Sequence, residues 1–181
     1  MSDETHSPNT GAVLRTMRII HASLLMGSLI FVAVAILMRD QLVGPVPEQP
    51  IISFIGLALA GWTGLMLLIV PTAIAASSRK KIARGISPLS TMPMPEAASG
   101  SGQSIGWWQL YQAQLLIIAS MMEGVIFMEL NAYLIEGRPW ILGVAAPFFV
   151  GLALLFPTWD RVERWIRTQQ EQVEQQRRTG L

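Results

Sequence analysis

The chain has 181 residues, 51% of them hydrophobic and only 14% charged, against about 25% charged in an average soluble domain. The apolar residues fall in long blocks, more than a soluble protein of this length has a core to bury. A net charge of +1 gives no reason to expect a nucleic-acid partner, and the lack of cysteine excludes disulfides, thiolate metal sites and cysteine nucleophiles.

A helix needs about 20 mostly apolar residues to cross about 30 Å of hydrocarbon. Four blocks approach that length: 13–38, 51–76, 108–135 and 139–157. Carboxylates interrupt the third, and the fourth is slightly short. The reading is all-α, with four transmembrane helices that satisfy their own backbone hydrogen bonds in lipid. The alternating segments of a β-barrel do not occur.

Taken in order, residues 1–12 are polar and expected to be a disordered tail. The first block is too long for a signal-peptide core, and Arg39 and Asp40 follow it without a small-residue cleavage site, so it is read as a retained helix. Residues 13–80 form the first transmembrane hairpin. Its second helix carries Gly56, Ala60 and Gly64 four apart on one face, small residues of the kind that let helices approach closely. Trp62 lies mid-span and is expected to be packed. Residues 81–106, rich in Pro, Ser and Gly, are expected to be a flexible cytoplasmic linker. Residues 107–158 form the second hairpin. The tail 159–181 is polar and helix-forming, with Trp159, Val162, Trp165, Ile166 and Val173 at roughly helical spacing. A solvated helix is preferred there over a partner-binding coiled coil.

Basic residues orient the spans, because they accumulate in cytoplasmic segments. Eleven of the thirteen would lie on one side: Arg15, Arg18, the 79–84 cluster, and five arginines after residue 160. Both termini are therefore expected to be cytoplasmic. Tryptophans 107, 108, 140, 159 and 165 flank the spans, where half-wet rings are favoured.

The two hairpins look alike. At an offset of 97, ASLLMGSLIF at 22–31 lies over ASMMEGVIFM at 119–128. At an offset of 86, the pairs Pro71-Thr72 and Pro157-Thr158 coincide. Two hairpins that both start and end in the cytoplasm are related by an axis along the membrane normal, as parallel repeats are. Glu123 falls opposite Met26 and Glu129 opposite Val32, so only the second copy carries carboxylates.

Glu123 lies near the middle of the third span. Desolvation disfavours a charged carboxylate there, so an unpaired Glu123 is expected to be largely neutral. Glu129, six residues on, is about 9 Å nearer the outer surface and about 240° around the helix, so the pair shares no face. Possible polar partners are His21, Glu129, Asn131 and Tyr133. Glu123 is either a reversible ion or proton site or a hydrogen-bonded tie between helices. His21 is the only histidine in a span and cannot by itself supply two to a haem. No cofactor or metal is expected, and the missing phosphate loop, nucleophile elbow and HExxH argue against an enzyme.

The run AxxxEGxxF within ASMMEGVIF resembles the carboxylate-bearing helix of rotary-ATPase proteolipid (c) subunits. That resemblance implies that Glu123 binds a translocated proton or cation. This chain places the carboxylate on the first helix of its hairpin, whereas that family places it on the second. The ending LLFPTWDRVERW is similar to that of a bacterial four-helix membrane family, which implies the fold and an inner-membrane location but no activity. The expectation is a four-helix bundle of two similar hairpins in the lipid bilayer. It would be a non-enzymatic component that associates with itself or a membrane partner. The alternative is an ion-translocating subunit using Glu123.

Overall fold

The computed structural model describes residues 8–42, 49–83 and 101–178. Every regular element among them is a helix: α1 (Pro8–Leu42), α2 (Ile51–Ala83), α3 (Ser101–Glu136), α4 (Trp140–Leu154) and α5 (Trp159–Arg178). The protein is all-α. Gly11–Arg39, Ile51–Arg79 and Gly106–Glu136 are each long and apolar enough to cross a membrane. A fourth span is reached when α4 and α5 are counted as one bent span. The 15 residues of α4 alone rise about 22 Å, short of a full hydrocarbon core.

The expected N-terminal tail is helical from Pro8, and residues 1–7 lie outside the described residues. Of the expected linker, residues 84–100 lie outside them, while 81–83 end α2 and α3 begins at Ser101.

One compact unit comprises Ile20–Ile69 and Ile117–Phe156. Its centre is α3, which the other three helices touch. Ala35, Ala119, Ile126, Leu130 and Leu152 form its core, from α1, α3 and α4. Gly27 lies by Glu123, Phe31 meets Phe127 edge-on at 5.0 Å and Arg39 stands over Tyr133, so α1 and α3 run side by side in the same direction. On α2, Ser53, Gly56, Ala60 and Thr63 are buried, a narrow inward face of small residues. Trp62, expected to be packed, is instead 60% exposed, because it lies on the other side of α2 from that face.

The α3–α4 turn is dictated locally. Gly137 has φ +64, the left-handed conformation glycine adopts without strain, and its N–H bonds the Tyr133 carbonyl at 2.8 Å. A Cβ at Gly137 would fall on the Arg39 guanidinium, which also stands 5.6 Å over the Tyr133 ring. Pro139 then caps α4 with φ −61.

The other unit comprises Met1–Ile19, Val70–Leu116 and Pro157–Leu181. Here the tail departs from the solvated helix expected of it. Val162, Ile166, Gln169 and Val173 of α5 are buried, and Trp165 stacks edge-on with Trp107 at 6.2 Å and Tyr111 at 5.3 Å. Trp108 and Trp159 lie 5.1 Å apart. The tryptophans that open α3 therefore have aromatic partners within the protein. The apolar stripe of α5 supplies them, so the helix is amphipathic and packed.

Candidate functional site

In a span, each buried polar group needs a stated partner, because lipid offers none. Following those partners defines the candidate site, a set of polar contacts along α3 and its neighbours.

Near the Gly137 end of α3 is Glu136, which sequence reasoning missed. It is buried, and Oε1 accepts the N–H groups of Ile52 at 2.6 Å and Ser53 at 3.2 Å. Its other oxygen, Oε2, accepts the Ser53 hydroxyl. These are the first amides of α2, which have no acceptor within their own helix. A signal was present: Pro50 precedes α2, and no Ser, Thr, Asp or Asn stands beside it to cap the helix. An uncapped buried helix start calls for an acceptor from elsewhere.

Two turns back on the same face, Glu129 is wholly buried against α2. A Cβ on Gly56 would stand 2.8 Å from its Oε1 and 3.0 Å from its Cδ, so a larger residue there would push the carboxylate from this position. Neither oxygen has a hydrogen-bond partner among the described residues. Ala60 is buried on the same face of α2. Gly64 is half-buried, and a Cβ there would meet nothing within 4 Å.

Glu123 points differently, as its 240° separation from Glu129 requires. It is half-buried and faces α1, where a Cβ on Gly27 would lie 3.9 Å from its Oε1. The structure does not gather the expected partners around it. His21 donates from Nε2 to the Leu152 carbonyl at 2.7 Å and packs edge-on against Phe156. That carbonyl is in the last turn of α4, where it also accepts the Leu155 N–H at 3.2 Å while the Phe156 N–H goes to Ala153. Asn131 donates to Phe127 of its own helix at 2.8 Å, Tyr133 lies under Arg39, and Glu129 faces α2.

Two further bonds lie in the other compact unit. Gln114 Nε2 donates to the Pro71 carbonyl at 3.0 Å, and Arg18 Nε donates to the Pro157 carbonyl at 3.2 Å. Gln114 stands 96 positions after Arg18, and Pro157 stands 86 after Pro71.

These features define a helical protein with three to four stretches long and apolar enough to span a membrane. Compared with family models, with curated proteins and with solved structures, the chain matches none.

Proposed function

We propose that this chain is a multi-pass membrane protein without a catalytic site, a structural or assembly component that associates with itself or with a membrane partner. It would span the membrane four times as two duplicated hairpins, with both termini cytoplasmic. The paired bonds Arg18–Pro157 and Gln114–Pro71 support the duplication. Each joins the first helix of one hairpin to the matched proline of the other. The side-by-side contact of Phe31 with Phe127, also 96 positions apart, agrees with a parallel repeat.

The observation that carries the assembly reading is the outward face of α2. Leu57, Gly61 and Leu68 are exposed along it, with the half-buried Gly64 at its edge, and a Cβ on either glycine would meet nothing within 4 Å. Bare backbone turned outward in a span, beside an exposed Trp62, fits close approach by another helix. Gly61→Leu with Gly64→Leu is expected to weaken self-association in vesicles at least about tenfold, a loss of about 1.4 kcal/mol. Energy transfer between labelled copies reads this out, while the unfolding midpoint should stay unchanged. Unaltered transfer would rule out this face.

A second reading, a proton- or cation-translocating proteolipid-like subunit, is favoured by the half-exposure of Glu123 beside Gly27. Under it, Glu123→Gln abolishes ion flux in proteoliposomes and leaves assembly intact. Flux that survives the substitution excludes it.

A further inference from the structure

Glu129 is wholly buried in the α2–α3 contact, with no hydrogen-bond partner for either oxygen among the described residues. An ionised carboxylate can tie helices only by accepting from a donor, and neither oxygen has one, so a tie made by the anion does not account for this residue. Packing does not account for it either. At the repeat offsets of 97 and 86, Glu129 and Gly56 correspond to Val32 and Leu142. Those two residues line an apolar cavity of about 240 Å³ together with Ile126, Leu130 and Phe149. The corresponding place between α1 and α4 is thus built from hydrocarbon alone, and a carboxylate is not what the contact requires.

From this geometry we infer that Glu129 and the bare backbone at Gly56 form a proton-binding site that holds α2 against α3. The carboxylate takes one proton from water as the helices close and returns it when α2 withdraws. An isolated buried carboxylate is far more costly than the neutral acid, and more so in hydrocarbon. The acid is also a donor, and helix carbonyls exposed beside a glycine keep a second lone pair that can accept from it. The same carbonyls repel an anion.

The surrounding elements leave this acid as the contact's own titrating group. Between Ile51 and Ser78, α2 has no titratable residue, and α4 has none at all. On α3, Glu136 is bound by Ile52 and Ser53, and Glu123 faces Gly27. Tyr133 lies under Arg39 of α1, and His21 of α1 donates to Leu152. Arg138 stands in the α3–α4 turn. The inference is separate from the two readings above, since it concerns neither the outward face of α2 nor Glu123.

The test is reversible unfolding of the full chain in lipid–detergent micelles from neutral to alkaline pH, with infrared spectra of the folded protein. The folded state holds one proton more than the unfolded chain, whose carboxyl is ionised. Stability must therefore fall as pH rises, by about tenfold in the folded-to-unfolded ratio per pH unit. Glu129→Gln, which mimics the neutral acid, should flatten that dependence. The wild type should show a protonated-carboxyl stretch at neutral pH, retained in Glu123→Gln. This spectrum decides the matter even where Glu129→Gln prevents folding. No such band in the wild type, a band lost in Glu123→Gln, or a pH slope that persists in Glu129→Gln would overturn the proposal. Recovery of stability by sodium at alkaline pH would also overturn it, because the ligand would then be a metal cation.

Discussion

Gly56→Ala is expected to destabilise the protein, whereas Gly61→Ala, on the same helix, is expected to be neutral or stabilising. Both substitutions remove a glycine from a helix interior, which by propensity alone gains up to about 1 kcal/mol. At Gly61 nothing within 4 Å opposes that gain. At Gly56 the new methyl would stand 2.8 Å from Oε1 of Glu129, with Cδ and Oε2 at 3.0 and 3.1 Å. Contacts that short force a shift of helix or side chain, and overpacking of a buried contact costs about 1–3 kcal/mol. The glutamate is flexible, but it is enclosed, so swinging it aside displaces a neighbour in turn. Steric conflict wins at Gly56 and propensity at Gly61. Removing the obstacle should rescue the first: Gly56→Ala combined with Glu129→Ala is expected to be more stable than the sum of the single effects, by about 0.5–3 kcal/mol. Unfolding of the four proteins in micelles measures this, and strict additivity would mean that Gly56 and Glu129 do not press on each other.

The spans were legible in the sequence because hydropathy is a property of consecutive residues. The blocks 13–38, 51–76 and 108–135 fall inside Gly11–Arg39, Ile51–Arg79 and Gly106–Glu136. Which way each helix turns was not legible, because a helix that is apolar all round has no marked side. Along α1 the buried residues Leu14, Met17, His21, Ser28 and Ala35 follow heptad spacing, but equally apolar residues between them hide the seam. The same limit governed the carboxylates. Depth along α3 singled out Glu123, but burial depends on what faces the helix, and α2 turns its small residues toward Glu129. Of the small residues Gly56, Ala60 and Gly64 that share one face of α2, Gly56 and Ala60 are buried and Gly64 is half-buried, and the sequence could not say that Gly56 lies beside an acid. The matched prolines sit differently: Pro157 lies in the break between α4 and α5, whereas Pro71 lies inside α2. The packing of α5 escaped for a different reason: its partners, Trp107 and Tyr111, lie more than fifty positions away in sequence.

Glu136→Ala is expected to be among the most damaging single substitutions in the protein, at about 3 kcal/mol. The carboxylate accepts from two backbone amides and one hydroxyl of α2, and a hydrogen bond to a charged group contributes about 1.5–3 kcal/mol net, though three bonds sharing one carboxylate do not add in full. Alanine removes all three acceptors at once and leaves the Ser53 amide buried without a partner. Loss of a local cap costs about 0.5–2 kcal/mol because water can replace it, and at a buried helix start that replacement is hindered. Glu136→Gln keeps one carbonyl oxygen for the Ile52 and Ser53 amides and offers its NH₂ to the Ser53 hydroxyl, which can accept. It should therefore cost only about 1 kcal/mol, the difference between a charge-assisted set of bonds and a neutral one. Ser53→Ala removes a single donor and should fall between the two. Hydrogen exchange at Ile52 and Ser53 localises the effect: protection there should collapse in Glu136→Ala and survive in Glu136→Gln. Equal losses in the Ala and Gln variants would mean that the charge of Glu136 matters and its capping does not. The nearby Arg138 in the α3–α4 turn would then be the place to look for the stabilising interaction.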